Sequence, residues 1–274
     1  MPASLSPLSQ RTLVAILLIP VGVSLIWVGG AAFALFAALV LGLAALEYAH
    51  LFQKGGYHPT TWILVSGCAA LPLIRYLGGD AFALPALTAL IFLTMGWQVF
   101  TYRSHHETAV LDLNITLGGL VYLGGLGGYI VSLRQLPDGV WWFLLVFPAI
   151  WFADAGAYFV GSRMGKHRMA PHISPSKTWE GYLGGVVSSI ALTAGLAALW
   201  ALRVPYLTAG HGALLGAVIA ILSPLGDLGE SLIKRGFGVK DSSHLLPGHG
   251  GVFDRIDSWL WAAPLGYYMI VWFF

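Results

Sequence analysis

The chain has 274 residues, of which 57% are hydrophobic and only 9% are charged, and its formal net charge is +2. Soluble domains carry about a quarter charged residues, so this composition excludes an ordinary soluble domain; its hydrophobicity also excludes an intrinsically disordered chain. The small net charge gives no reason to expect a nucleic-acid partner. The length is therefore best counted in membrane crossings of about 20 apolar residues each.

The first predicted element is an apolar run at residues 12–30, which follows a short polar arm. A signal peptide is the alternative interpretation, because Ala32, Phe33 and Ala34 place small residues at cleavage-like spacing. The run is longer than the core of a typical signal peptide, and a second hydrophobic segment follows it directly. We interpret it as the first membrane helix.

Apolar windows then recur between short polar breaks. Their lengths suit helices, since strands that cross a membrane would alternate in polarity over about ten residues. Glycines four residues apart, such as Gly181 and Gly185, permit close helix packing. The sequence predicts an all-α polytopic membrane bundle with about nine transmembrane helices. The windows are residues 12–30, 31–52, 59–78, 81–102, 113–135, 139–163, 181–203, 210–234 and 258–274.

Charged residues are distributed unevenly along the sequence and between the two sides of the membrane. With a cytoplasmic N-terminus, eleven of the fourteen Lys and Arg residues face the cytoplasm, as the positive-inside rule favours. The C-terminus is then on the far side. Seven of the twelve acids lie between residues 154 and 257. We therefore predict a membrane scaffold in residues 1–135, and catalytic helices with cytoplasmic loops in residues 136–274, within one integrated membrane domain.

Two pairs of carboxylates in the C-terminal half predict a metal site. Asp227 and Glu230 interrupt an apolar run behind a proline that should kink the helix; such acids usually face a cavity or the bundle interior. The alternative for Glu230 is a simple ion pair with Lys234. Asp254 and Asp257 open the last helix, where they could instead be partners of its dipole. Carboxylate oxygens are the ligands that Mg²⁺ prefers, usually together with substrate phosphates.

A short basic loop precedes these acids and predicts contacts with phosphate groups. It runs over residues 165–178 and contains Lys166, Ser174 and Lys177. Hydroxyl groups beside the lysines would add donors for phosphate oxygens. A topology signal or a contact with anionic lipid is the alternative, above all for Lys166.

Two further polar residues are candidates for the same site. Asp154 lies near the cytoplasmic end of the sixth predicted helix, where a hydrogen-bonded packing role is the alternative. His249 has glycines on both sides, which lets the backbone approach a ligand closely.

Two blocks of sequence resemble the CDP-diacylglycerol synthase (phosphatidate cytidylyltransferase) family. Residues 231–257, from Ser231-Leu232-Ile233-Lys234-Arg235 to Phe253-Asp254-Arg255-Ile256-Asp257, are similar to the family's signature without a break. The N-terminal half matches only in hydropathy. The second block comprises Asp154 to Tyr158, Gly165-Lys166, Ile173-Ser174-Pro175, Lys177-Thr178 and Glu180-Gly181, and Gly226-Asp227-Leu228 joins the two blocks.

The resemblance implies that CTP and phosphatidic acid condense to CDP-diacylglycerol and pyrophosphate, with Mg²⁺ required and a second cation possible. It implies Asp227, Asp254 and Asp257 as metal ligands, and an integral protein of the bacterial inner membrane with a cytoplasmic active site. A homodimer is expected from the same resemblance and from the glycine-rich scaffold. We predict catalytic roles for Asp154, Lys177, Lys234 and Asp227. The predicted phosphate contacts are Lys166, Ser174, Lys177, Ser231, Lys234, Arg235, Lys240 and His249.

The implied chemistry needs no nucleophile from the protein. A phosphate monoester has a second pKa of about 6 and is largely ionised at neutral pH, so it can attack the α-phosphorus of CTP once cations and basic side chains offset the gathered charge. Two alternatives stay open. Intramembrane acids and a proline-kinked helix also describe an ion-coupled transporter, and a lipid-phosphate transferase could use another nucleotide-linked donor.

Overall fold

The computed structural model describes residues 7–104, 107–246 and 248–274, and this part of the chain is almost entirely helical. A π-helical segment, Leu120–Leu126, lies between α5 and α6. The helices are α1 (Pro7–Val28), α2 (Gly30–Lys54), α3 (Thr61–Gly78), α4 (Asp80–Thr101), α5 (Ala109–Gly119), α6 (Tyr129–Gln135), α7 (Gly139–Met164), α8 (Trp179–Trp200), α9 (Ala209–Leu222), α10 (Pro224–Gly236), α11 (Phe253–Ile256) and α12 (Trp259–Phe273). The two short strands are β1 (Arg168–Ala170) and β2 (Ser174–Thr178).

Seven helical stretches among the described residues are long and apolar enough to cross a membrane. α1 adds a shorter apolar stretch, Ile19–Val28, and α12 has 15 residues without a charged side chain. The predicted all-α membrane bundle of about nine helices is therefore confirmed for this part of the chain. The seven stretches are Gly30–Lys54, Thr61–Gly78, Asp80–Thr101, Ala109–Gln135, Gly139–Met164, Trp179–Trp200 and Ala209–Gly236.

The stretch Ala209–Gly236 is broken where the sequence predicts a kink. α9 ends at Leu222 and α10 begins at Pro224, because a proline has no N–H to donate and its ring clashes with the preceding turn. α10 begins three residues before Asp227 and carries this acid in its first turn.

The chain forms two compact units. The first unit contains the helices up to Gln135 together with the segment Gly236–Ile256, and the second contains Leu136–Arg235 and Asp257–Phe274. One boundary between the units follows Gln135, and the predicted division into scaffold and catalytic parts stays a prediction. The segment 236–256, however, belongs with the N-terminal helices and not with the helices on either side of it in the chain.

In the first unit, α2 packs along α3. Small side chains cover the buried face of α2, including Ala34, Ala44 and Ala45, each fully buried, and small residues let helix backbones come close together. Polar side chains tie loops to this core. The buried Asp112 carboxylate accepts hydrogen bonds from the His58 N–H (2.6 Å) and the Thr108 hydroxyl (2.7 Å).

In the second unit, α8 packs against both α7 and α9. Glycines make the contact with α7 close: a Cβ atom on Gly185 would lie 2.6 Å from the Ala153 carbonyl oxygen, and one on Gly181 would lie 2.8 Å from that of Ala157. The predicted close packing at this glycine pair is confirmed. β1 and β2 pair antiparallel between α7 and α8, a hairpin that the sequence analysis treats only as a basic loop.

Candidate active site

Three carboxylates of the second unit come together at α10. Asp227 and Glu230 lie one turn apart on this helix, and Asp257 directly precedes Ser258 at the start of α12. One oxygen from each of these carboxylates lies within 4.8 Å of the other two. A glycine permits the contact, because a Cβ on Gly226 would lie 2.6 Å from the Asp257 carbonyl oxygen. We call these three residues the carboxylate cluster.

Two lysines partly offset the charge of the carboxylate cluster. The Lys177 ammonium group lies 2.6 Å from Asp227, and that of Lys234 lies 2.7 Å from Glu230. The Glu230–Lys234 pair is buried, with side chains only 1% and 11% exposed. Removing one partner of such a buried pair leaves an uncompensated charge. The ion pair that was the alternative interpretation of Glu230 is therefore present, and Glu230 also lies in the carboxylate cluster.

The surroundings of Asp257 in this cluster disfavour its charged form. Burial raises the pKa of the Asp257 carboxyl to about 6, and the neighbouring Asp227 carboxylate acts in the same direction. The Ser258 N–H and the two lysines act against this rise. A bound cation would favour the charged form of all three carboxylates. Three carboxylate oxygens are also the donor chemistry that Mg²⁺ selects, so these residues fit such an ion.

A cavity of about 570 Å³ lies in the second unit between α7, the hairpin and α8, within the usual size range of small-molecule sites. Its polar lining includes Asp154, Arg168, Ser176, Lys177 and Tyr182. The structure therefore brings the predicted residues Asp154 and Lys177 to one cavity. Because Lys177 also binds Asp227, the same side chain serves the cavity and the carboxylate cluster.

The hairpin that carries Lys177 is held at its base. Thr178 ends β2 and caps α8, where its hydroxyl accepts a hydrogen bond from the Gly181 N–H (3.2 Å). The Glu180 carboxylate accepts the backbone N–H groups of Lys166 and His167 at 3.1 and 3.2 Å. Lys166 itself is exposed. The fixed ends explain how a short polar loop holds Lys177 at a defined position.

Other predicted phosphate contacts of the second unit surround α10 and the hairpin. The Ser231 hydroxyl donates a hydrogen bond to Asp227 (3.3 Å). Arg235 is exposed, and its Nε donates to the Ile173 carbonyl oxygen (3.4 Å). Ser174 is half-buried at the start of β2. Ser231 and Arg235 thus hold partners within the second unit, and the phosphate roles of all three stay predictions.

The remaining predicted site residues belong to the first unit. Lys240 and His249 line a separate cavity of about 380 Å³, together with His244 and Arg255. The Asp254 carboxylate accepts the N–H and hydroxyl of Ser242 and the N–H of Gly251, at 2.7 to 3.0 Å. Asp254 is therefore surrounded by hydrogen-bond donors of its own loop, and its predicted role as a metal ligand stays a prediction.

The predicted metal ligands leave out one member of the carboxylate cluster. Glu230 is not among them, although it lies three residues after Asp227. This spacing places both acids on one face of a helix. That is the signal from which the third carboxylate could have been found.

Comparison with known proteins extends over almost the whole chain. A family model described as the cytidylyltransferase family matches residues 9–273. A phosphatidate cytidylyltransferase of Synechocystis sp. is 37% identical, over 96% of both chains. Those of Staphylococcus haemolyticus and Bacillus subtilis are 33% and 31% identical, over 93% and 84% of this chain and 96% and 95% of theirs. The similarity thus includes the N-terminal helices.

Proposed function

The chain belongs to the cytidylyltransferase family, and on that premise we propose that it is a phosphatidate cytidylyltransferase. It transfers the cytidylyl group of CTP to phosphatidic acid and forms CDP-diacylglycerol and pyrophosphate for phospholipid biosynthesis. The observation that carries this conclusion is the shared position of Lys177, which lines the 570 Å³ cavity and binds Asp227 of the carboxylate cluster. A reaction between two phosphates needs basic groups to offset their negative charge and acidic groups to hold a cation, and this site has both.

The reaction joins two substrates that both carry negative charge. A phosphate oxygen of the lipid, ionised at neutral pH, attacks the α-phosphorus of CTP, and the bond between the α- and β-phosphates breaks as pyrophosphate leaves. The lipid phosphate is itself the nucleophile, so the protein has to hold the reactants in line and offset their charge. This requirement accounts for lysines and carboxylates at the site.

The basic side chains of the second unit have different tasks in this reaction. Lys177 is 26% exposed and lies at the cavity wall, so its ammonium group can pass from Asp227 to a substrate phosphate. Arg168 lines the same cavity and adds a second positive charge. Lys234 is buried against Glu230. Its charge acts on the carboxylate cluster, and a direct phosphate contact would first require it to leave Glu230.

We further propose that Asp227, Glu230 and Asp257 hold Mg²⁺. Their donor chemistry and the raised pKa of Asp257 support this assignment. When bound, the ion supplies positive charge to the reacting phosphates. The Ser231 hydroxyl helps to orient Asp227 through its hydrogen bond, and the Lys234 ammonium group pairs with Glu230. A role for Asp254 and a second cation belong to the same proposal.

We place the active site of this integral membrane protein on the cytoplasmic side of a bacterial inner membrane. The concentration of basic residues in the predicted cytoplasmic loops supports this orientation. A reporter that is active only outside the cytoplasm should give signal when fused to Phe274, and silence there would contradict this orientation.

We also propose a homodimer, which the glycine-rich scaffold supports. Mass measurements in detergent that find only monomer would contradict the homodimer.

The proposed activity is tested with purified protein, labelled CTP, phosphatidic acid and Mg²⁺. We expect labelled CDP-diacylglycerol and pyrophosphate in equal amounts, and no labelled lipid when phosphatidic acid is left out. Asp112→Asn changes a buried acid of the first unit whose carboxylate accepts hydrogen bonds from His58 and Thr108, so it serves as a matched control that should retain activity. Folded protein that makes no labelled lipid would overturn the proposal.

A further inference from the structure

A buried carboxylate on α2 binds the signature loop, by which we mean the segment 236–256 of the first unit. Glu47 is 5% exposed and lies in a helix whose other buried residues are apolar, aromatic or small. A buried carboxylate is costly unless hydrogen bonds compensate it. All four donors that compensate Glu47 come from the signature loop, about 200 positions away in the sequence.

The four hydrogen bonds are shared equally by the two carboxylate oxygens. Oε1 accepts the Ser243 hydroxyl (2.6 Å) and the Val252 N–H (3.0 Å). Oε2 accepts the Phe253 N–H (2.9 Å) and the Ser242 hydroxyl (2.9 Å), whose single proton it shares with the Asp254 carboxylate (3.0 Å). Each oxygen therefore holds one hydroxyl and one backbone N–H. Glu47 joins the beginning of the loop, at its serines, to its end.

Glycine makes this approach possible. A Cβ on Gly251 would overlap both Glu47 Oε2 and the Ser242 hydroxyl, and the Gly251 N–H donates to Asp254 (2.7 Å). Gly250 has a φ of +80°, and a Cβ there would lie 2.6 Å from Asp254. The two glycines thus let the backbone close around two carboxylates, one from α2 and one from the loop itself.

The signature loop has little regular structure to hold it otherwise. Outside the short helix α11, the described part of the loop contains one isolated backbone bridge, Leu246 with Gly250. Aromatic contacts with α2 support its ends: Phe237 packs on Phe52 at 4.9 Å and Phe253 on Tyr48 at 6.1 Å between ring centroids. These contacts are apolar, and the Glu47 carboxylate adds polar contacts between α2 and the loop.

We infer that Glu47 is a positioning residue for the reaction: its carboxylate fixes the signature loop in the shape that presents Lys240, His249 and Arg255 to their shared cavity. This inference rests on the proposed function, because these three groups matter for the reaction only if the protein binds phosphate-bearing substrates. It assigns a role to a helix of the predicted scaffold, for which the sequence analysis gives no function. The basic cavity keeps its shape only while both Glu47 oxygens accept hydrogen bonds.

The test variant is Glu47→Gln. An amide has one oxygen, so either orientation of the introduced side chain would set its NH₂ group against the N–H of Val252 or Phe253, and two donors cannot bond. We expect kcat/KM for CTP and phosphatidic acid to fall about tenfold or more. Hydrogen exchange of amides 252 and 253 should rise by a similar factor, while peptides from α3 and α7 exchange as in the wild type.

Two further variants keep the test decisive. Ser243→Ala removes one of the four hydrogen bonds and leaves the carboxylate, so it should show the same changes at a smaller scale even if Glu47→Gln fails to fold. Asp112→Asn is the matched control. Losing the Asp112 carboxylate affects the hydrogen bonds from His58 and Thr108, and hydrogen exchange of amides 252 and 253 should stay unchanged.

The exchange measurement needs no activity, so it separates this inference from the proposed function. Wild-type protein without cytidylyltransferase activity would refute the proposed function. The hydrogen exchange of amides 252 and 253 in Glu47→Gln would still test whether Glu47 fixes the loop. Glu47→Gln protein with wild-type kinetics and loop exchange would overturn the inference. So would loop exchange that rises equally in Asp112→Asn, because Glu47 would then have only a general structural role.

Discussion

Two groups of carboxylates, one in each unit, have different kinds of partner. In the second unit, Asp227 and Glu230 face lysine side chains and, with Asp257, one another. In the first unit, Glu47 and Asp254 accept hydrogen bonds from backbone N–H groups and serine hydroxyls. Lysines can exchange a carboxylate for a phosphate, whereas backbone donors cannot leave it without moving the chain. The partners of an acid therefore distinguish a site that binds ions from one that fixes a loop.

The largest effect that would sharpen this comparison is expected from Asp257→Asn. This change keeps the size of the side chain and removes one negative charge from the carboxylate cluster. Activity should fall by about 10²- to 10³-fold, the scale for losing one preorganised electrostatic contact, and raising Mg²⁺ should restore part of it. The measurement is kcat as a function of Mg²⁺ concentration. Near-normal activity and Mg²⁺ dependence would remove Asp257 from the proposed metal site.

Lys177→Ala should have the next largest effect. We propose that its ammonium group moves from Asp227 to a substrate phosphate. A hydrogen bond to a charged group contributes about 1.5–3 kcal/mol, so its loss should lower kcat/KM about ten- to hundredfold. Lys177 lies on a hairpin outside the helices, so the variant should still fold, as judged by its elution in detergent. Failure to fold would make Lys177 a structural residue and would remove the support for its phosphate role.

The raised pKa of Asp257 predicts that cation binding at the carboxylate cluster depends on pH. Its carboxyl has a pKa of about 6, so it becomes protonated as the pH falls through 6, and a cation must then displace the proton. At pH 7 the apparent Mg²⁺ affinity should be close to that of the fully ionised carboxylate. At pH 5 it should be about tenfold weaker. Calorimetric titration without substrates measures it. Affinity that does not change between these pH values in the wild type would contradict the assignment.

Ser231→Ala should have the smallest effect. The hydroxyl donates one hydrogen bond of 3.3 Å to Asp227, and the loss of such a bond should lower kcat about two- to tenfold. Single-turnover measurements with labelled CTP check the rate and would detect a labelled protein intermediate. A loss beyond about a thousandfold, or label on the protein, would make Ser231 a nucleophile and would refute direct attack by the lipid phosphate.

The sequence was sufficient for the membrane helices because their signal is local. Apolar runs of about 20 residues predict crossings directly, and Pro224 marks the break between α9 and α10. The glycine pair Gly181 and Gly185 likewise predicts the close contact of α7 and α8. Each of these features depends on residues within a few turns of one another.

The parts that the sequence did not predict depend on distant residues. The role of Glu47 requires contacts with residues 242–253, and nothing in α2 itself points to them. Asp254 and Asp257 are three residues apart in the sequence, and the carboxylate cluster joins Asp257 to Asp227 and Glu230 from α10. Spacing along the chain predicts neighbours on one helix, but α11 ends at Ile256 and α12 begins at Trp259, so the two acids do not share a regular helix.

The central claim is that the carboxylate cluster holds the divalent cation of the reaction. It is tested most directly by Mn²⁺ binding to the purified protein without substrates, followed by electron paramagnetic resonance. The account predicts that wild-type protein and Asp112→Asn bind Mn²⁺ equally, and that Asp227→Asn and Asp257→Asn each weaken binding about tenfold or more. Equal affinity in all four proteins would contradict it.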